Sequence, residues 1–237
     1  MRHRPAIVSP PESRAFLDAN LEELSTANFG ASALWRFIGR SAERSWEEAR
    51  ARPRVLAELT VWHLLVATFG GPLWAGSSWL LTTTHLGLLP PHRDRLGWPN
   101  RLTLFRANLP ALPVSRTPWI AGVALATDFA DGYLARRGDE TAFGAYADSL
   151  ADAAFWSWFT LRYETDRRLR YLGLSYWLLP PSTLALAYFI NGGSVTPPRP
   201  VVVRNVSVGL QGLIAARALW RKRKTPRDSN QIRSLRP

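Results

Sequence analysis

The chain has 237 residues, of which 46% are apolar and 11 are tryptophan, and its formal net charge is +12. It contains no cysteine, which excludes a disulfide framework and a thiolate metal site. The positive charge lies mostly in the N-terminal region, the loops and the tail rather than in one basic domain, so we expect anionic membrane lipids as partners and no nucleic acid.

Residues 1–54 are predicted to form a polar, amphipathic N-terminal extension. The segment from Met1 to Pro11 lacks the apolar core of a signal peptide. Beyond it, apolar residues at helical spacing predict one or two amphipathic helices that contain Phe16, Leu17, Leu21 and Leu24, then Leu34, Trp35, Phe37, Ile38 and Trp46. Two interpretations fit: a cytoplasmic helical hairpin, or an interfacial helix whose Trp and Phe side chains face the lipid.

Residues 55–98 are predicted to form an additional hydrophobic helix or hairpin, followed by a polar connector. The apolar stretch is interrupted at Gly70-Gly71, which allows either one kinked span or two short hydrophobic helices. His63 and His85 lie on this stretch, and we interpret them as hydrogen-bonded side chains rather than as ligands.

The rest of the chain is predicted to form a membrane core at residues 99–220 and a basic, disordered tail at residues 221–237. The core contains apolar segments, of which the last three are each about one bilayer long: Asn100–Val114, Trp119–Thr127 with a helical continuation, Ala142–Tyr163, Tyr171–Ile190 and Val201–Trp220. Tryptophan is favoured at membrane interfaces. The sequence therefore predicts an all-α fold, a polytopic membrane helix bundle with an amphipathic helical extension.

Four aspartates of this core have helical spacing. Asp128 and Asp131 are three residues apart, and Asp148 and Asp152 are four apart, so each pair projects from one face of its own helix. The stretch at residues 136–140 is turn-like, which allows the two helices to fold back and bring both pairs together.

Clustered carboxylates beside apolar segments need compensating cations, because burial of an unpaired carboxylate costs several kcal/mol. Hard oxygen ligands suit Mg²⁺, Mn²⁺ or Ca²⁺, and two metals about 4 Å apart recur in displacement at phosphorus. Ordinary salt bridges to Arg136, Arg137 and Arg162 are the alternative. The cluster of four, flanked by small residues that leave room for a nucleotide, favours metals.

Two motifs resemble the CDP-alcohol phosphatidyltransferase family. The segments that begin at Asp128 and Gly144 together match the pattern DxxDGxxAR…GxxxDxxxD, which has eight specified positions in a fixed order. Upstream, residues 99–106 resemble the PNxxTxxR stretch that opens the family's first core helix. The resemblance covers about residues 99–165, with weaker similarity at residues 201–220.

The resemblance implies a role for each matched residue. A two-metal site for Mg²⁺ or Mn²⁺ would be formed by Asp128, Asp131 and Asp148, and Asp152 would both contact a metal and act as the base that deprotonates the acceptor hydroxyl. The CDP site would be lined by Asn100, Thr103, Gly132, Ala135, Arg136 and Gly144. Arg204, at the entrance to the last segment, is expected either to anchor a lipid headgroup or to bind a phosphate of donor or acceptor.

The function implied is metal-dependent transfer of a phosphatidyl or phospho-alcohol group from a CDP-linked donor to an alcohol, with release of CMP, in phospholipid biosynthesis. CDP-diacylglycerol is the expected lipid donor, the location is the cell membrane with several passes, and a homodimer is one possible assembly. Two alternatives stay open: a catalytically degenerate member of the family, and a divalent-cation transporter whose carboxylates line the pathway. No motif identifies the acceptor.

Overall fold

The protein is described by a computed structural model that covers residues 11–90, 92–139, 141–191 and 201–224. The regular structure in these ranges is helical throughout, which confirms the all-α prediction. The α-helices are α1 (Pro11–Thr26), α2 (Ala31–Arg50), α3 (Pro53–Phe69), α4 (Pro72–Thr84), α5 (Trp98–Asn108), α6 (Ile120–Leu134), α7 (Ala142–Tyr163), α8 (Arg167–Asn191) and α9 (Val201–Lys224).

The N-terminal extension forms two helices, α1 and α2, that pack against each other. Leu21 and Leu24 of α1 are buried in this contact region. The Asn20 Nδ2 group of α1 donates to Ser41 Oγ of α2 at 3.1 Å, which fixes the pairing of the two helices. Trp35 of α2 is 74% exposed, so part of the amphipathic face has no cover within the described chain.

The apolar stretch that follows is broken into two short helices, α3 and α4, rather than forming one kinked span. The break occurs at Gly70, where an added Cβ atom would lie only 1.2 Å from the backbone oxygen of Ala111. A side chain at this position would therefore prevent the α3–α4 turn from packing against the chain after α5. His63 is hydrogen-bonded as expected, since Nδ1 lies 2.8 Å from the Leu59 oxygen and Nε2 lies 3.1 Å from Ser78 Oγ.

The first core helix is shorter than the predicted segment Asn100–Val114. Helix α5 ends at Asn108 and is followed by 3₁₀ turns at Leu109–Ala111 and Pro113–Arg116. Leu112 is extended (φ −84°, ψ 152°) because the residue before a proline is sterically excluded from the helical region. The two prolines of this segment thus end the helix early.

Helix α6 does not end in an open turn. Its backbone continues as a π-helical turn at Ala135–Asp139, where the sequence analysis predicted a turn-like stretch. Thr141 then caps α7, because its Oγ1 accepts a hydrogen bond from the Gly144 amide at 2.9 Å. Helix α7 spans the predicted segment Ala142–Tyr163.

Helices α6 to α9 share an apolar core of aromatic and aliphatic residues: Ile120, Phe155, Trp156, Phe159, Trp177 and Ile214. Helix α9 continues to Lys224, so the predicted start of a disordered tail at residue 221 falls inside a helix, and residues 225–237 lie outside the described residues. Within the described ranges, no helix has both the length and the apolar character that a membrane span requires.

A buried carboxylate ties α9 to the turn between α7 and α8. Glu164 is fully buried, and its side chain lies 3.0 Å from Arg217 Nε and 2.8 Å from Arg221 Nη2. Burial alone would raise the pKa of Glu164, but the hydrogen bond from Arg217 and the charge of Arg221 outweigh it, so the pKa lies below its ordinary value. The carboxylate is therefore ionised near neutral pH and holds the last helix in place.

Candidate metal centre

The four aspartates lie where α5 packs against both α6 and α7. Asp128 and Asp131 come from α6, and Asp148 and Asp152 come from α7. Asp128, Asp131 and Asp148 each place one carboxylate oxygen within 4.8 Å of the other two. The two helical pairs therefore meet, as the spacing predicted.

A single arginine of α5 occupies the centre of the cluster. The Arg106 side chain is 0% exposed. Its Nη1 lies 2.9 Å from Asp131 Oδ2 and 3.4 Å from Asp128 Oδ1, and its Nε lies 3.0 Å from Asp152 Oδ1. Its Nη2 donates to Asp148 Oδ1. One guanidinium thus contacts all four carboxylates.

The sequence analysis missed this role of Arg106. The salt bridges that it considered involved Arg136, Arg137 and Arg162, whereas the arginine among the carboxylates comes from the PNxxTxxR stretch. Arg137 instead lies over the Tyr133 ring, with 4.3 Å between its Cζ and the ring centroid. A signal was present: positions 103 and 106 are three residues apart, so they share a helix face, and an arginine on a buried helix face requires anionic partners.

Two residues predicted to line a CDP site make contacts between helices in the structure. Thr103 Oγ1 donates a hydrogen bond of 2.9 Å to Asp131 Oδ2. Asn100 is buried, its Nδ2 donates to the Leu96 oxygen at 2.6 Å, and its Oδ1 faces Gly144 of α7. A Cβ atom at Gly144 would lie 2.6 Å from that Oδ1, so the glycine allows α7 to approach α5 closely.

The remaining predicted nucleotide-site residues are near the C-terminal end of α6. Gly132 and Ala135 are half-buried, and Arg136 is exposed. The Arg136 Nη1 atom lies 3.2 Å from the position that a Cβ of Gly132 would take, so the guanidinium folds back over the glycine. The side chain of Arg204 lies outside the described residues.

The charge balance of the cluster favours a further cation. With all four carboxylates ionised, as metal ligation requires, the one guanidinium would leave a formal charge of −3 on these side chains. Asp128 and Asp148 have side chains that are 38% and 46% exposed, so the cluster is open to solvent on one side, whereas Asp131 is 8% exposed. Such a set of hard carboxylate oxygens fits Mg²⁺ or Mn²⁺.

Asp152 differs from the other three aspartates. It is outside the group whose oxygens meet within 4.8 Å, and its side chain is 24% exposed. Its Oδ1 is buried and, apart from the ion-pair contact with Arg106, has no hydrogen-bond partner in the described part of the chain. The hydrogen-bonding capacity of this oxygen is therefore not used within the described part of the chain.

The fold and the site define a helical protein with a carboxylate cluster able to hold divalent cations. Residues 98–180 match the family model described as CDP-alcohol phosphatidyltransferase, which confirms the resemblance over this segment. The match contains α5 to α7, the first part of α8 and all four aspartates. It supports a transferase at the level of the family. No curated protein and no solved structure matches the chain.

Proposed function

We propose that this protein is a metal-dependent transferase that moves a phosphatidyl or phospho-alcohol group from a CDP-linked donor to an alcohol, with release of CMP. The observation that carries the proposal is the meeting of three carboxylate oxygens within 4.8 Å, inside the segment that matches the family model. CDP-diacylglycerol is the proposed donor, and the product belongs to phospholipid biosynthesis.

In this proposal Asp128, Asp131 and Asp148 hold two divalent cations, Mg²⁺ or Mn²⁺. The bound ions would neutralise the donor pyrophosphate, a recurring means of stabilising displacement at phosphorus. The half-exposed Asp128 and Asp148 lie on the accessible side of the cluster, and the buried Asp131 is oriented by the hydrogen bond from Thr103. The exposed carboxylates would therefore meet an entering ion first.

Asp152 is the proposed base. Its carboxylate, part of a side chain that is 24% exposed, accepts the proton of the acceptor hydroxyl. The hydroxyl oxygen forms the new bond to phosphorus while the bond between that phosphorus and the CMP oxygen breaks. The nearby Arg106 Nε, 3.0 Å away, places a positive charge beside this carboxylate. The exposed Arg136 is the proposed contact for donor phosphates at the C-terminal end of α6.

We further propose that the protein works in the cell membrane as a multi-pass helix bundle, because its donor carries acyl chains. The proposal is supported by large apolar side chains on the surface of several helices, among them Leu73 at 88%, Phe129 at 73% and Ile190 at 71% exposure. Phe129 is next to Asp128, so a lipid-facing surface would lie beside the carboxylates.

The test is CMP release by the purified protein with CDP-diacylglycerol, Mn²⁺ and a panel of alcohols. Wild type is compared with Asp131→Asn and Asp152→Asn, and with Asp166→Asn, an exposed aspartate in the turn after α7, as the matched control. We expect activity in wild type and the control and at least a hundredfold loss in the two site variants. Equal CMP release by all four proteins, or Mn²⁺ transport without CMP release, would refute the proposal.

A further inference from the structure

The central arginine and a metal ion would need the same three carboxylates. Arg106 Nη1 contacts Asp131 and Asp128, and Nη2 contacts Asp148, which together are the three aspartates able to share one ion. Arg106 Nε contacts Asp152, which lies outside that group. The three contacts of the terminal nitrogens are therefore made to the same carboxylates that would bind the cation.

We propose that Arg106 is a placeholder cation: it holds the carboxylates together in the metal-free protein and competes with the divalent ions for them. The inference rests on the proposed function, since it concerns the same metal centre. Without a cation at the centre, four carboxylates would repel one another, which disfavours the packing of α6 and α7 against α5. With the guanidinium present, the carboxylates stay converged, and an arriving ion finds a formed site.

The competition follows from the geometry and the charges. A guanidinium is permanently protonated, so it cannot leave the cluster by losing its charge and has to move when ions bind. Its side chain is fully buried, so its charge is weakly screened by solvent. Removal of Arg106 would thus make the cluster more negative and remove the guanidinium contacts of three carboxylates at once, and both changes favour a divalent cation.

The direction in which metal affinity changes when Arg106 is removed distinguishes a placeholder from a residue that only positions the carboxylates. If Arg106 only positioned the carboxylates for the metal, its removal would weaken metal binding. If it is a placeholder, removal strengthens metal binding while it destabilises the metal-free protein. Both quantities can be measured without substrate.

The experiment measures Mn²⁺ affinity by electron paramagnetic resonance of the free ion, together with thermal unfolding in EDTA and in Mn²⁺. It uses the full-length wild type, Arg106→Gln, Arg106→Lys and the control Arg101→Gln. Arg101 lies on the same helix, but its Nε pairs with Glu58 at 2.6 Å, away from the cluster. The lysine variant keeps one positive charge but lacks the forked donors that reach several carboxylates.

We expect Arg106→Gln to bind Mn²⁺ at least about tenfold more tightly than wild type and to unfold at a lower temperature in EDTA. Arg106→Lys should fall between wild type and the glutamine variant, and Arg101→Gln should bind Mn²⁺ like wild type. If the glutamine variant does not fold, the lysine variant decides by the same criterion. If wild type binds Mn²⁺ but the folded Arg106 variant binds it no more tightly, the placeholder role is wrong and the metal centre stands. If wild type does not bind Mn²⁺, the metal centre is wrong as well.

Discussion

Gly144 offers the most sensitive test of how α7 presents its two aspartates. In a Gly144→Ala variant the new Cβ would lie 2.6 Å from Asn100 Oδ1 and 3.1 Å from Thr141 Oγ1. Real Cβ contacts essentially never fall under 3.0 Å, so the Cβ and Asn100 Oδ1 have to separate by about 0.4 Å or more. Asn100 cannot easily yield, because it is 2% exposed and its Nδ2 is bonded to the Leu96 oxygen at 2.6 Å.

The expected cost combines two opposing effects. Overpacking of this kind costs about 1–3 kcal/mol, whereas replacement of a helical glycine by alanine gains up to about 1 kcal/mol in helix propensity. With the full gain subtracted, we expect a net destabilisation of about 0–2 kcal/mol relative to wild type. Because Asp148 is one helical turn beyond Gly144, a shift of α7 would also displace the two aspartates of α7 that the proposed function requires, and misplacement by about 1 Å can cost about a hundredfold in rate.

Gly122 of α6 provides the matched control. It lies on the helix that carries Asp128 and Asp131, and an added Cβ there meets nothing within 4 Å. Denaturant unfolding and CMP release are compared for the two alanine variants and wild type. We expect Gly122→Ala to be at least as stable as wild type and fully active. If Gly144→Ala were as stable and as active as Gly122→Ala, the proposed close contact between α5 and α7 would be wrong.

Three further predictions concern the hydrogen bond of Thr103, the ion pair of Glu164 and the metal requirement. Thr103→Val should lower the free energy of unfolding by about 1.5–3 kcal/mol, because a hydrogen bond to the Asp131 carboxylate is lost, and denaturant unfolding measures it. Glu164→Gln should lower the free energy of unfolding by about 2 kcal/mol near pH 7, because a neutral amide replaces the carboxylate that accepts the hydrogen bond from Arg217. Folding lowers the pKa of Glu164, so the stabilisation by its ionised carboxylate is fully present above the ordinary pKa of 4.5. It is lost as the pH falls through the pKa of the folded protein. Thermal unfolding at several pH values should therefore show the stability difference between wild type and variant narrowing below about pH 4.5. Removal of divalent metal with EDTA should abolish CMP release, and Mn²⁺ should restore it.

Each of these has a control and an outcome that contradicts it. Thr103→Ser keeps the hydroxyl and should retain most of the stability. If Thr103→Ser and Thr103→Val lowered the free energy of unfolding equally, the loss would come from packing and not from the hydrogen bond to Asp131. A stability difference for Glu164→Gln that stayed constant to low pH would contradict the assigned ion pair. Full activity in EDTA would contradict the metal requirement.

The helical elements were largely predictable from local sequence features. The bounds of α7 agree with the apolar segment Ala142–Tyr163, because a threonine cap precedes it and a polar turn follows it. The break between α3 and α4 was visible in the Gly70-Gly71 pair. The reason that glycine is required there, the approach of the Ala111 backbone, depends on a contact between distant parts of the chain and could not be foreseen.

The end of α5 could not be located from the apolar pattern of the sequence. The apolar character of the segment continues to Val114, but the helix ends at Asn108 because two prolines follow. Pro110 has no N–H for the next helical hydrogen bond, and Leu112, before Pro113, is extended, so the two prolines outweigh the preference for apolar continuity.

The composition of the carboxylate cluster was predictable, but its partner was not. Spacing places Asp128 with Asp131 and Asp148 with Asp152, and a tight connection brings the pairs together. Which arginine compensates them depends on which third helix packs in the same place, and α5 is separated from α6 by irregular turns that give no spacing rule. The position of Arg106 on a helix face with Thr103 indicated a need for anionic partners, but only the structure shows that these partners are the four aspartates.

The most direct test of the metal centre is anomalous scattering from crystals of the protein grown or soaked with Mn²⁺. The account predicts anomalous density bounded by the carboxylates of Asp128, Asp131 and Asp148, with the Arg106 guanidinium displaced from the position that it holds here. Mn²⁺ density at another place, or none, while Arg106 keeps its contacts with all four aspartates, would contradict it.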